Sequence, residues 1–463
     1  MRLRRLAPFA GSALALALAG CASLSTNEDV REATAQSLPP LPEIWAVGGA
    51  MPGEVRIGWI AAIGDPVLSE LVLEAQANNR DIRAAAANLE AARALVRQAR
   101  APLLPQINGS FSADRTDSPV PFQVQDTVYT LTAQAQWEAD LWGRVRAGRN
   151  AAYASAQAVE ADFRFAQYAL AQGVASAYFA SIEAQQQVEV AQRTLDALAE
   201  IDRIVRVRYR EGFASRQDTA TAGSDFEVAR DNLEQAQVAE RTAQRALEVL
   251  LGRYPADAIA LRDTLPETPP APPAGLPAQL LERRPDVIAA ERRVAAAFAN
   301  LDQRKAAQLP LISLTASGGG TSTDLASILD GPSLLWSVVG SVLQPIFDGG
   351  LRGAQVDEAD ANRRAAIESY AATALAAFQD VENNLDLVQV LARRELILEN
   401  AAEESSTAYA LAQLQYAEGE IALIDVLNIQ QRLFAAERNL VAIRRARIDQ
   451  WVTLNLALGG AWD

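Results

Sequence analysis

The chain has 463 residues, with no histidine, one cysteine and two methionines, and its 42 basic against 57 acidic side chains leave a formal net charge of −15. These counts exclude histidine-based acid–base chemistry, a Ser-His-Asp triad, histidine metal ligation, an internal disulfide and a multi-cysteine zinc site. Half the residues are hydrophobic and the mean hydropathy is −0.01, yet no interior stretch approaches the ~20 apolar residues of a membrane helix, and a pI near 4.7 argues against a nucleic-acid surface.

Residues 1–20 read as an export signal, with Arg2, Arg4 and Arg5 ahead of an apolar run from Leu6 to Ala19. The run ends at Leu18-Ala19-Gly20-Cys21, which resembles the lipobox of bacterial lipoproteins. That resemblance implies Cys21 as the acylated first residue of the mature chain, an N-acyl S-diacylglycerol cysteine, with no other cofactor expected. Ala22 follows, with no aspartate of the kind that resembles an inner-membrane retention signal. Three acyl chains exceed the two signals needed for stable attachment to a lipid surface. Residues 21–60 are expected to form an anchored linker, marked by Pro39, Pro40 and Pro42.

The remainder is written twice. Tyr209, Glu211, Gly212, Asp218, Asn232, Leu233, Leu247, Leu251 and Gly252 recur 207 residues later as Tyr416, Glu418, Gly419, Asp425, Asn439, Leu440, Leu454, Leu458 and Gly459. The first copy is placed at 61–263 and the second at 281–460, separated by a prolyl linker at 264–280 that carries Pro266, Pro269, Pro270, Pro272, Pro273 and Pro277. Alanine-rich stretches without interior proline predict helices from Asp65 to Ala101, Ala147 to Arg210, Asp286 to Gln308 and Ala354 to Ala417. The second of these would be roughly 100 Å long at 1.5 Å per residue. In a last rod, beyond Gly419, Leu427, Phe434, Val441 and Ile448 are spaced by seven, the seam expected of coiled-coil packing.

Between the helices the period changes to two. Ile107, Gly109, Phe111 and Ala113 alternate with polar residues, as do Tyr129, Leu131, Ala133 and Ala135, and the second copy offers Leu311 to Gly319 and Ser333 to Phe347. Each half-polar strand of the first copy has about the length of a tilted membrane strand, ~9–11 residues. Four open strands cannot span a bilayer alone, because both sheet edges would leave backbone groups unpaired, so closure requires further copies of the chain. Periodicity alone is equally compatible with a soluble two-repeat coiled-coil protein bearing exposed hairpins.

Several segments carry a resemblance to the outer-membrane efflux protein family, the TolC-like channels, and within it to the NodT/OprM-type lipoprotein branch that serves tripartite RND systems. They are Leu281 to Asp286 (LERRPD), Lys305 to Pro310, Asp140 to Arg144, Gln344 to Gly350, and Tyr416 to Gly419 with Asp425 to Leu427. The resemblance implies a mainly α protein with a membrane β-barrel part. Long coiled-coil hairpins would form a periplasmic α-barrel, and four strands per protomer would enter one outer-membrane barrel shared by a homotrimer. It also implies an exit duct for small molecules, with a periplasmic adaptor and an inner-membrane RND pump as partners, outer-membrane lipid around it and no nucleic acid. The type I protein secretion duct is the alternative of the same fold, and a lipid-anchored scaffold without a pore is the alternative of another class.

By the same resemblance Asp425 lines the periplasmic aperture, where three copies would make an anionic ring, and Asn428 lies beside it. Tyr416 and Asp218 match a latch between hairpins, while Gly212, Gly419, Glu211 and Glu418 mark the tips that would contact an adaptor. Asn428 stands where many channels carry a second aspartate, and Ile421 where some carry a latch arginine. The position of Asp425 near a helix start equally suits a carboxylate stabilised by the helix dipole. Arg203, Arg206, Arg208 and Arg210 read as a solvated face with i,i+4 pairs in preference to an adaptor patch. Carboxylates at Asp225, Glu227, Glu403 and Glu404 lack catalytic partners, so no enzymatic activity is expected.

Overall fold

The structure is a computed structural model that describes residues 24–47, 58–117 and 125–460, so the lipobox and Cys21 lie outside the described residues. Two compact units are present: the first gathers Met1–Pro39, Asn88–Glu160 and Ala289–Thr373, and the second gathers Pro40–Ala87, Ala161–Ile288 and Ala374–Asp463. Among the described residues no helix is long and apolar enough to cross a membrane.

In chain order the helices are α1 (Asn27–Gln36), α2 (Trp59–Ile63), α3 (Pro66–Asn78), α4 (Arg80–Arg100), α5 (Arg144–Arg210), α6 (Arg216–Leu250), α7 (Pro277–Arg283), α8 (Pro285–Ala306), α9 (Leu351–Glu418) and α10 (Leu423–Ala457). The helices α5 and α9 have 67 and 68 residues and α6 and α10 have 35 each, so corresponding segments match in length. One expected helix is divided. The stretch from Asp65 to Ala101 breaks at Asn79, whose backbone turns out to ψ 135°. Its side chain then accepts from the Asp81 and Ile82 N–H groups at 2.9 and 3.1 Å, which starts α4 as an N-cap. Asparagine competes with the helix for backbone donors, and that competition decides the break. The prolyl segment is also shorter than expected, because Pro277 opens α7, a position where its fixed φ suits the first turn.

The first unit contains a four-stranded antiparallel sheet of β1 (Gln106–Asp117), β2 (Gln125–Glu138), β3 (Leu311–Ser322) and β4 (Leu334–Leu343), in the order β1-β2-β3-β4. Registers such as Phe111 opposite Leu131 and Leu131 opposite Gly320 carry the period-two alternation across strands without a slip.

The core of the second unit joins Trp59, Leu68 and Val72 to Tyr178, Phe179, Leu247 and Ile448. Asp65, only 2% exposed, is the polar node of that core. It caps α3 by accepting from Val67 N–H, takes the Tyr178 hydroxyl at 3.0 Å and meets Arg262 at 3.3 Å, so the buried charge is satisfied. Burial first, and the Asp65 charge second, push the Tyr178 hydroxyl well above its ordinary pKa. A second core in this unit packs Ile201, Val205 and Ala222 against Tyr409, Leu423, Val426 and Leu427. Three of the four heptad positions, Leu427, Phe434 and Ile448, are buried.

Candidate functional site

On β1, β2 and most of β3 the sheet has two chemically opposed faces, whereas β4 is apolar on both, Leu335, Val339 and Leu343 sharing the face of Ser337. Cross-strand register places Ile107, Ala135, Ala316 and Val338 in one row on the first face, and Asn108, Gln134, Ser317 and Ser337 in the adjacent row on the second. The polar face is knitted by hydroxyl pairs, Ser313 with Ser341 at 2.7 Å and Ser317 with Ser337 at 2.8 Å. On the apolar face Phe111 stacks on Tyr129 with ring centroids 6.4 Å apart. Among the described residues this apolar face is not covered along β4: every residue of that strand is exposed, and Trp336 reaches 83%. Among the described residues the sheet order also leaves one edge of β1 and one edge of β4 unpaired. An uncovered apolar face with two open edges is unstable in water and equally unstable as an isolated sheet in hydrocarbon.

The helical hairpins of the second unit turn on glycines. Gly212 and Gly419 adopt φ of +83° and +82°. Each sits after a long helix and closes it with a paired motif: Gly212 N–H donates to Tyr209 and Phe213 N–H to Arg208, while Gly419 N–H donates to Tyr416 and Glu420 N–H to Gln415. A side chain at either glycine would meet open space, so the requirement for glycine is the left-handed backbone itself. Glu211 and Glu418 are exposed beside these turns.

The restart of the following helix differs between the tips. Ser215 accepts from Asp218 N–H at 3.0 Å and its own N–H donates to the Asp218 carboxylate at 2.7 Å, a complete capping box that holds the Asp218 carboxyl below its usual pKa. At the second tip Ala422 has no side-chain acceptor, and only the reciprocal bond remains, from Ala422 N–H to Asp425 at 3.3 Å. Asp425 and Asn428 are exposed one turn apart on α10, whereas Val426 and Leu427 between them are buried in the tip core.

Within the chain no hydrogen bond joins Tyr416 to Asp218. Tyr416 is held instead by Arg208, whose guanidinium lies 4.3 Å from the ring centroid and donates to the Tyr416 and Ala417 carbonyls at 2.9 and 3.0 Å. A cation on the last carbonyls of α9 also complements that helix dipole. Arg203 and Arg206 pair locally with Glu200 and Asp202 at 2.6 Å, as a solvated face would. The Arg208 contact is not legible in the sequence, because it depends on α5 and α9 lying together at the tip core.

A two-faced open sheet combined with glycine-closed helical hairpins is the architecture of an outer-membrane channel subunit. The sequence profile described as outer membrane efflux protein matches residues 71–253 and again 276–460. The toluene efflux pump outer membrane protein TtgF of Pseudomonas putida is 34% identical over 470 residues, covering 97% of this chain and 96% of the relative. Outer membrane protein OprJ of Pseudomonas aeruginosa is 31% identical over 466 residues, covering 97% and 95%. Among solved structures the outer-membrane channel OprN superposes with a TM-score of 0.85 at 28% identity, over 91% of this chain and 98% of that one. The chain belongs to the outer membrane efflux protein family.

Proposed function

We propose that this protein is the outer-membrane exit duct of a tripartite efflux pump, passing small molecules outward without catalysis. The observation that carries the reading is the sheet, whose exposed apolar face suits lipid, whose opposite face is lined by hydroxyls and amides along β1, β2 and most of β3 and suits water there, and whose edges demand neighbours. Three copies of four strands would close a twelve-stranded barrel. The relative named for toluene efflux supports small apolar solutes as cargo. In this reading Cys21 carries the lipid anchor, the helical hairpins reach into the periplasm, and their tips meet an adaptor and an inner-membrane pump. Native mass spectrometry of the detergent-extracted protein tests closure: a species of three chains is expected, and a monomer in every detergent would overturn the barrel.

Asp425 supplies the charge at the aperture. Exposure on the same face as Asn428 leaves its carboxylate free to face a shared axis, and three copies would favour cations. Asp425→Asn keeps an acceptor for Ala422 N–H while deleting the charge, so it separates the aperture from the helix cap. The expected result is a reversal potential under a salt gradient that moves towards non-selectivity. An unchanged value would remove Asp425 from the gate.

A further inference from the structure

The described chain begins at Leu24, and within the first unit its start is gripped rather than free. Ser25 reaches both oxygens of one carboxylate: its backbone N–H donates to Asp302 Oδ2 at 2.6 Å and its hydroxyl to Oδ1 at 3.0 Å. Asp302 is only 9% exposed, so this is a charged acceptor withdrawn from water, for which such bonds are strong and whose loss is costly. Leu24 is seated beside it against Gly143, where an added Cβ would lie 3.2 Å from the leucine Cδ2. Directly afterwards Thr26 and Asp29 form a capping box that starts α1, and Val30 and Thr34 bury that helix.

The position of this grip is informative. Asp302 lies in the last turns of α8, nine residues before β3 begins at Leu311. Gly143 immediately precedes α5 and follows the end of β2 at Glu138 by five residues. Both contacts therefore belong to the helix ends nearest the strands. Cys21 precedes Leu24 by three residues, a span of at most about 11 Å when fully extended.

We propose that Asp302 is a positioning residue for the lipid anchor: by holding Ser25 it fixes the acylated amino terminus beside the helix-side end of the sheet, so that acyl chains and strands enter one bilayer in register. The proposal rests on the reading of Cys21 as lipidated. Without the grip the anchor would be untethered from α8 and could engage the leaflet without orienting the sheet. The sequence offers no hint of the pair, since its members stand 277 positions apart and an aspartate near a helix end is unremarked.

The test uses the full-length chain expressed in a Gram-negative host. Two variants remove the grip from opposite sides: Asp302→Ala deletes the acceptor, and Ser25→Pro deletes both donors without touching α8. Amide exchange over residues 25–36 is expected to speed up roughly tenfold to a hundredfold in both, the loss of two bonds to a charged group, with the strands unchanged. The amount of assembled protein in the outer membrane is expected to fall several-fold in both variants, and the same substitutions in a Cys21→Ser background should change it little further. An equal fall in both backgrounds would make Asp302 merely structural, and unchanged exchange in both variants would show that no grip exists; either overturns the proposal. Mass analysis of the amino-terminal peptide reads acylation separately. An unacylated wild-type peptide overturns the anchor reading itself, and an acylated one with normal assembly in both variants overturns only the role of Asp302.

Discussion

Arg284→Met is expected to lower stability by about 3 kcal/mol. The Arg284 side chain is 7% exposed and makes a paired contact with Asp286, at 3.0 and 2.7 Å, and a further contact with Asp380 at 3.2 Å. It also donates to the Ala377 and Ala457 carbonyls, each at 3.4 Å, and the latter is the last residue of α10. Burial works against the charge, but the Asp286 hydrogen bonds and charge, then those of Asp380, outweigh it and hold the guanidinium above its ordinary pKa. Removing it leaves two carboxylates and a helix end without their cation. The cost sits at the low end of that for breaking a buried pair because Asp380 is 55% exposed and water can screen it. Thermal melting of the helical circular dichroism reads the effect, and a melt equal to wild type would contradict the assignment. Arg284 belongs to the LERRPD segment, and its place between α8, α9 and α10 gives that segment a structural reason.

A second large effect separates the faces of the sheet. Val338→Arg puts a cation on the apolar face, where the cost near the middle of a bilayer is about 2–4 kcal/mol per chain and would be repeated in every copy of the barrel. Ser337→Arg puts the same side chain one residue away on the hydroxyl face, which the account assigns to the water-filled lumen. The first variant is expected to be lost from the assembled outer-membrane fraction, and the second to assemble with altered conductance. Equal assembly of the two would contradict the assignment of faces. Because strand neighbours alternate strictly, the pair differs in orientation and in little else.

The sequence carried the strands and the helices well, for a physical reason: period-two and alanine-rich helical patterns survive wherever one face is buried or apolar, as at Ile107 to Ala113 and Leu427 to Ile448. Glycine at 212 and 419 was legible for a similar reason, since a left-handed turn between two long helices has few other solutions. What could not be read were contacts between segments remote in sequence. Arg208 on Tyr416, Ser25 on Asp302 and Arg284 on the end of α10 all depend on which helices lie together, and no local pattern encodes that. The break at Asn79 is not legible because alanine-rich flanks mask a single residue whose side chain competes for backbone donors. Asp425 shows the limit from another direction. It acts as half a helix cap, and it also presents the exposed carboxylate on which the aperture proposal rests.

The duct itself is tested most directly by the conductance of the purified wild-type protein in a planar lipid bilayer under a salt gradient. Discrete channels with a preference for cations are expected if three Asp425 carboxylates line the aperture. Absence of conductance in every preparation that contains three-chain assemblies would contradict the duct and leave a scaffold without a pore.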